Sequence, residues 1–183
     1  SPQMRALRDP ICAIATPLGK GAIGVVRLSG EGALEIAARV WRGKDPRRLK
    51  GGRFTLGEVV DPKTGEAIDQ ALLLVFRAPR SYTGEDLVEF QTHGSLAVLR
   101  RVMEVLVAEG ARPAGRGEFT FRAYMNGKLD LAQADLDLAV ANVTLTATQL
   151  LDFENSLSAT WQDRRRHRSA RAGSCSARGC RWY

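Results

Sequence analysis

The sequence predicts a mixed α/β or α+β domain, built from a small mixed sheet with flanking helices. Short apolar stretches of strand length alternate with two amphipathic helical stretches, and several joins have the composition of hairpin turns. Too few β-helix-β units occur for a doubly wound sheet. The chain of 183 residues is 44% hydrophobic and 26% charged, a globular balance that excludes a fibrous or wholly disordered protein.

The first three predicted elements are two strands and a helix. Residues 11–15 form a short apolar run typical of a buried strand, and residues 23–28 predict a second strand. A helix is predicted over residues 31–42, with Ser29 as its N-cap and Gly43 at its end. Apolar residues recur there at helical spacing, at Ala33, Ile36, Ala37 and Val40.

The middle of the chain predicts three more strands. Residues 53–60 and 68–77 have strand composition, and the segment 61–66 between them contains the proline and glycine that favour a turn. Residues 86–92 predict the next strand after a polar loop. Such joins are hairpin-like.

Two further helices are predicted towards the C-terminus. One begins after a Ser95 N-cap and runs to Glu109, where Gly110 ends it. Its apolar stripe consists of Leu99, Val102, Met103, Leu106 and Val107. The other is predicted to open at Asp130, because Asp130 and Gln133 have the spacing of a capping box.

The predicted organisation has three parts. Residues 1–128 form the folded domain, residues 129–160 begin a helical region, and residues 161–183 form a basic tail without periodicity. The N-terminal residues lack a signal-peptide pattern, and the longest apolar run, 71–76, is far shorter than the ~20 residues that cross a bilayer. We therefore expect a cytoplasmic protein without membrane contact.

Most of the net charge lies in the tail. The chain carries a net charge of +7, and residues 163–183 contain seven arginines and one aspartate, so the first 162 residues carry only +1. A basic tail of this kind binds nucleic acid through phosphates without specificity, which makes a tail-dependent nucleic-acid-binding protein one open interpretation. The overall charge is no argument that the folded body binds RNA.

The strand predicted over residues 86–92 carries the densest polar cluster. Alternation places Val88, Phe90 and Thr92 on one face, and it places Leu87, Glu89, Gln91 and His93 on the other. The polar face either meets solvent, as in any half-exposed antiparallel strand, or binds a polar ligand. His93 is either a structural group or part of that ligand site.

Arg27 and Lys128 are the cations that the sequence offers to such a site. Each alone is consistent with an ordinary surface charge. Together with Glu89 they would suit a ligand that has a polar ring and an anionic tail, because a carboxylate accepts two parallel N–H bonds and Arg or Lys binds carboxylates.

Several catalytic and metal-binding classes are not supported. The glycine-rich turn at 19–24 lacks the spacing of a dinucleotide-binding loop, and no G-x-x-x-x-G-K-[ST] motif occurs, so we expect no NTPase site. One histidine outside the tail gives no Ser-His-Asp or Cys-His arrangement, and no catalytic residue is assigned. Cys12, Cys175 and Cys180 lack the four converging ligands of structural zinc, and no metal ligand is assigned.

Three ordered blocks of sequence stand out together. The blocks are Ile-Ala-Thr-Pro at 14–17 with Gly-Val-Val-Arg-Leu-Ser-Gly at 24–30; Ser-Tyr-Thr-Gly-Glu-Asp at 81–86 with Glu89 and His-Gly at 93–94; and Gly-Glu-Phe-Thr at 117–120 with Asn-Gly-Lys-Leu-Asp-Leu-Ala-Gln-Ala at 126–134. Their order and spacing resemble the N-terminal region of the MnmE (TrmE) family of tRNA-modification GTPases, over about residues 8–134.

This resemblance implies a domain that binds tetrahydrofolate and forms a homodimer, similar in fold to the folate domain of the glycine-cleavage aminomethyltransferase. The ligand would be 5-formyl- or 5,10-methylene-tetrahydrofolate, bound by Arg27, Glu89 and Lys128. With a flavin-containing MnmG-type partner, the family modifies C5 of the wobble uridine of tRNA with a folate one-carbon unit. GTP, potassium and magnesium belong to a G domain that this sequence lacks.

The sequence also departs from the family. After Ala134 it does not continue as the family's helical segment, and residues 163–183 read like an out-of-frame translation, so we expect a truncated or frameshifted product. A free-standing folate-dependent one-carbon transferase remains an alternative, for which only His93, Glu85 and Asp86 offer groups to assist transfer.

Overall fold

One mixed sheet of seven strands organises the computed structural model, which describes residues 8–16, 22–130 and 132–133. The strands are β1 (Ile11–Ile14), β2 (Ile23–Ser29), β3 (Trp41–Gly43), β4 (Arg53–Val60), β5 (Ala67–Phe76), β6 (Leu87–His93) and β7 (Arg112–Pro113). Their order across the sheet is β3-β4-β5-β6-β2-β1-β7. The short pair β1–β7 is parallel and the other pairs are antiparallel. The predicted mixed α+β class is confirmed.

Three helices accompany the sheet in the described part of the chain: α1 (Ala33–Arg39), α2 (Leu96–Ala108) and α3 (Glu118–Met125). Helices α1 and α2 share one hydrophobic core with the sheet face that carries Val26, Leu28 and Phe90. Because side chains alternate along a strand, the opposite face carries Arg27 and Glu89. We call this second side the open face.

The first helix is shorter than predicted. The prediction of a helix over residues 31–42 with a Ser29 cap is wrong at both ends. Gly32 precedes α1 with φ of 85° and gives no side-chain cap, and Trp41–Gly43 pairs with β4 as an edge strand. The Ser29 side chain instead bonds to Thr83 and Glu85. Ser29, although a favourable N-cap residue, therefore makes tertiary hydrogen bonds instead of capping α1.

Other elements agree with the predictions. β4 has the predicted bounds, and the turn at 61–66 closes with the Gly65 N–H donating to the Asp61 carbonyl oxygen at 2.7 Å. Ser95 caps α2 by accepting from the Val98 N–H at 3.4 Å. In the capping box, the Gln133 N–H donates to Asp130 Oδ1 at 2.9 Å.

The predicted stripe of α2 needs one correction. Val105 is buried, whereas Val107 is 40% exposed, so the stripe is centred on Leu99, Val102 and Leu106. Strands β3 and β7 and helix α3 were not predicted. Two- and three-residue strands carry too little periodicity to be recognised, and α3, with eight residues, is too short for its apolar spacing to establish a helical period.

The remaining sequence predictions fall outside the described residues. These are the helix beyond Gln133, the basic tail, and the pair Cys175 and Cys180. The division at residues 128 and 160 stays a prediction. Among the described helices, none has the length and hydrophobicity needed to span a bilayer.

Candidate functional site

Arg27 and Glu89 face each other across the β2–β6 pair on the open face. The Arg27 Nε–H donates to Glu89 Oε1 at 2.8 Å, and the side chains are 35% and 14% exposed. Strand register extends this contact into a row across the sheet, which we call the Glu89 row. The row consists of Phe54, Leu74, Glu89, Arg27 and Ala13.

Tyr82 covers the guanidinium of Arg27. The Arg27 Cζ lies 5.6 Å from the centre of the Tyr82 ring, a distance at which a cation interacts with an aromatic face. The Tyr82 hydroxyl is 3.1 Å from Thr120 Oγ1 at the start of α3, and the two hydroxyls form a hydrogen bond. Arg27 is therefore held by Glu89 on one side and by an aromatic ring on the other.

The loop that carries Tyr82 is fixed to the rest of the fold at two points, and a third bond closes it internally. The Thr83 hydroxyl is 2.7 Å from Ser29 Oγ, and the Asn126 side-chain amide donates to the Thr83 carbonyl oxygen at 2.7 Å. The Ala78 N–H donates to Asp86 Oδ1 at 2.8 Å. Asp86 therefore makes a structural hydrogen bond within this polar loop, and its neighbour Glu85 makes one with Ser29.

Lys128 contacts this same loop. Its Nζ–H donates to the Pro79 carbonyl oxygen at 3.0 Å, and the residue is exposed. The structure therefore brings Arg27 and Glu89 into direct contact and places Lys128 on the Tyr82 loop. The three residues flank one segment of chain, but the bond that Lys128 makes is to backbone.

A cavity of about 220 Å³ opens beside Arg27 on the open face. Its walls are β1, Arg27 and the segment at the start of α3, including Gly117 and Phe119. A cavity of this size is below the roughly 300–1,000 Å³ of pockets that enclose drug-sized ligands. Its volume is that of a single ring system.

Arg122 centres a buried ionic network behind the Tyr82 loop. The Arg122 side chain is 1% exposed, and it donates to Asp9, Glu85 and Glu118. Its Nε–H has no acceptor among the described residues. This network joins β1, the loop before β6 and α3, and was not foreseen from the sequence, where the partners are far apart.

The network shifts the acidity of its carboxyl groups. Burial raises the pKa of Glu85 above its usual value, although Arg122 and Ser29 oppose the shift. The pKa of Asp9 is lowered, first by its hydrogen bond from Arg112. Burial penalises the charged form of Glu118, but Arg112 and the Gly115 N–H lower its pKa overall. The pKa of Glu85 is thus shifted in the opposite direction to those of Asp9 and Glu118, although all three carboxyl groups share one guanidinium.

His93 lies at the end of β6 beside Asp69 of β5. Its Nδ1–H donates to Asp69 Oδ1 at 2.9 Å, and its backbone N–H donates to Asp69 Oδ2 at 2.8 Å. Asp69 thus fixes the ring orientation. The His93 side chain is 74% exposed, so His93 is not a residue of the buried core.

These elements define a class of domain: a mixed α+β sheet with an Arg–Glu pair on its open face and a polar loop and short helix beside it. The family model for the N-terminus of GTP-binding protein TrmE matches residues 10–128. Because this match covers more than half of the chain, the chain belongs to the TrmE family.

Curated relatives agree with this assignment. The chain is 97% identical over 137 residues to a tRNA modification GTPase MnmE of Thermus thermophilus, an alignment that covers 75% of this chain and 32% of the relative. It is 43% identical over 160 residues to a tRNA modification GTPase MnmE of Streptococcus pyogenes, an alignment that covers 86% and 35% of the two chains. The chain thus spans about a third of the length of these relatives.

Proposed function

We propose that this domain binds 5-formyl- or 5,10-methylene-tetrahydrofolate through Arg27, Glu89 and Lys128 as part of a tRNA-modification GTPase. The observation that carries the proposal is the Arg27–Glu89 contact at 2.8 Å on the open face, beside a ring-sized cavity. Family membership supports it independently, since the matched segment contains all three residues.

The donors and acceptors of the pair fit a pterin ring. The Arg27 bond uses one oxygen of Glu89, and an ionised carboxylate has about four lone-pair positions, so Glu89 can still accept from a ring N–H and an amine. The bond also leaves the Nη groups of Arg27 for a carbonyl or carboxylate. Lys128, outside the pair, is suited to the glutamate tail. A bound methylene-tetrahydrofolate supplies a one-carbon unit.

The open face also supports the proposed homodimer. Ile23, Phe54 and Leu56 are 62%, 66% and 74% exposed. Phe54 and Leu56 lie on the open face, where their neighbours on β5 are Leu74 and Leu72. Such apolar strand positions favour burial against a partner surface, and a second copy of the chain offers the same surface.

The reaction of the whole protein is proposed from its relatives. They are named as tRNA modification GTPases, and we assign to the full-length protein the use of a folate one-carbon unit at C5 of the wobble uridine. A flavin-containing MnmG-type partner and tRNA would act with it. GTP, potassium and magnesium are assigned to the GTPase domain of the family, because this sequence has no phosphate-binding loop.

Calorimetric titration with 5-formyltetrahydrofolate tests the proposal. Wild type is expected to bind about one ligand per chain, and Glu89→Gln is expected to lose detectable binding. The matched control is Glu109→Gln, because Glu109 is also a largely buried carboxylate paired with an arginine, but at the end of α2. Equal affinity of Glu89→Gln and wild type would contradict the proposed site.

A further inference from the structure

A concentrated positive charge lies at one edge of the sheet. Residues 41–53 contain six arginines and lysines and a single acidic residue, Asp45. The other described residues contain 12 arginines and lysines and 14 acidic residues. The net charge of the folded body is therefore nearly neutral, although residues 41–53 within it are strongly positive.

Four of these cations remain without an ion pair within the described ranges. Arg47 is bound by Asp45 at 2.8 Å, and Arg42 is bound by Glu58 at 2.9 Å. The remaining cations are exposed, and we call them the basic edge: Lys44, Arg48, Lys50 and Arg53. Unpaired cations on one surface attract a polyanion more strongly than the same charges neutralised by carboxylates.

The backbone beneath the basic edge is firmly held. Leu49 is buried in the core, and the Arg77 side chain donates to the carbonyl oxygens of Arg47 and Leu49 at 2.6 and 3.3 Å. Asp45 caps the short 3-10 turn of Pro46–Arg48 by accepting from the Arg47 N–H at 2.9 Å. The four cations are thus presented from an ordered scaffold.

Protection of a sheet edge explains only part of this charge. Cations beside an edge strand discourage pairing with another chain, and Lys44 directly follows the edge strand β3. Arg53 opens β4, whose residues 53–56 have no strand partner on the β3 side, so edge protection extends to it. Arg48 and Lys50 lie between β3 and β4 and guard no strand edge. These two cations need another explanation.

The basic edge lies on the same side of the sheet as the outer end of the Glu89 row. Arg53 directly precedes Phe54, which ends that row, although alternation directs the Arg53 side chain to the opposite face of β4. Strands β4 and β6 are separated only by β5, so the row runs about 10 Å from Phe54 to Glu89 at the usual strand spacing of ~4.8 Å. A chain of phosphates seated on the basic edge therefore runs along the outer margin of the sheet, two strands away from Glu89.

We propose that the basic edge binds the phosphate backbone of the RNA substrate and thereby directs a nucleotide towards the open face. This rests on the proposed role in tRNA modification. The chemistry recognised is a row of regularly spaced phosphates, which exposed Lys and Arg side chains bind without reading the base sequence.

Binding of unmodified tRNA to the full chain, measured over a series of salt concentrations, tests this proposal. Arg48→Ala/Lys50→Ala is expected to weaken binding at least about fivefold. It should also reduce the log–log salt slope by about 1.5, since each lost phosphate contact contributes about 0.7–0.9. The control Lys63→Ala/Arg100→Ala removes the same two residue types from exposed positions elsewhere and is expected to bind as wild type does.

A footprint on the wild-type protein makes the test independent of variant folding. Acetylation of lysines with and without tRNA, read by mass spectrometry, should show Lys44 and Lys50 protected and Lys63 unprotected. Equal protection of the three lysines, or equal loss of affinity in both double variants, would overturn the proposal. The proposal would also be overturned if Arg48 and Lys50 were needed for binding to phosphatidylserine vesicles or to polyglutamate but were not needed for binding to tRNA.

The same variants separate this proposal from the folate proposal. Arg48→Ala/Lys50→Ala is expected to bind 5-formyltetrahydrofolate with wild-type affinity, since neither residue belongs to the Glu89 row. If the wild-type chain binds folate and the double variant keeps wild-type affinity for tRNA, only the proposed RNA surface is contradicted. If the wild-type chain binds no folate and the double variant loses affinity for tRNA, only the proposed folate site is contradicted.

Discussion

Arg122 and Asp9 are 113 positions apart in the sequence, yet the Arg122 Nη2–H donates to Asp9 Oδ1 at 2.6 Å. A second bond joins the Arg122 Nη1–H to the Asp9 backbone oxygen at 2.7 Å. The two bonds tie helix α3 to the residues just before β1. Since Glu85 and Glu118 share the same guanidinium, one buried side chain holds together three separate parts of the fold.

Removal of this guanidinium should strongly destabilise the domain. Arg122→Met leaves the buried Glu85 carboxylate without its cation, while Asp9 and Glu118 keep Arg112, and we expect the free energy of unfolding in urea to fall by about 3–5 kcal/mol. Arg39→Met, which breaks the more exposed pair with Glu109, should cost only about 0–1 kcal/mol. Similar losses in the two variants would show that Arg122 is not the centre of the network.

Asp9 should make the stability depend on acid pH. Its pKa in the folded state is lowered, first by the bond from Arg112, so its stabilisation is present above its unfolded pKa near 3.8 and is lost as the pH falls through the folded value. We expect wild type to lose more stability than Asp9→Asn between about pH 5 and pH 2.5. The difference should be about 1 kcal/mol or less, because Asp9 is partly exposed. A difference between the two proteins that is the same at both pH values would contradict this assignment.

Tyr82 should position Arg27 for the proposed ligand. Tyr82→Ala removes the ring over the guanidinium and is expected to weaken 5-formyltetrahydrofolate binding about fivefold, as a contact of about 1 kcal/mol implies. Tyr82→Phe keeps the ring and removes the hydroxyl that contacts Thr120, so its affinity should stay within about twofold of wild type. An equal loss in the two variants would assign the effect to the hydroxyl instead.

Leu56 should lie in the proposed dimer interface. At a concentration where wild type sediments as a dimer, Leu56→Asp is expected to sediment as a monomer, because it places a charge within an apolar contact surface. Leu96→Asp changes another exposed leucine, at the start of α2, and should remain a dimer. Dimers in both variants would exclude this part of the open face from the interface.

Local patterns predicted the larger elements well. The alternation of residues 87–93 correctly separated the buried Val88, Phe90 and Thr92 from the more exposed Glu89, Gln91 and His93. Leu87 is the exception, since it belongs to the second set but is buried. Alternation assigns a face, but burial of that face depends on what packs over it, which a strand pattern does not contain.

The tertiary contacts of the candidate site were less accessible to sequence reasoning. Arg27 and Glu89 were predicted to contribute to one ligand site, from chemistry and resemblance, but their direct contact follows from the β2–β6 register, which the sequence did not provide. The role of Tyr82 and the partnership of His93 with Asp69 depend on a loop path and on the β5–β6 register, respectively. Ser29 shows the converse error, because its local preference for a helix cap was overridden by bonds to Thr83 and Glu85.

The parallel pairing of β1 with β7 has a consequence for the order of assembly during synthesis. Once the ribosome has translated β6, strands β1, β2, β4, β5 and β6 can already pair, but the outer edge of β1 stays open until residues 112–113 emerge. The bonds from Arg122 form later still. The nascent domain therefore passes through a stage in which its first strand is a free edge, and its protection depends on the last strand of the sheet to be made.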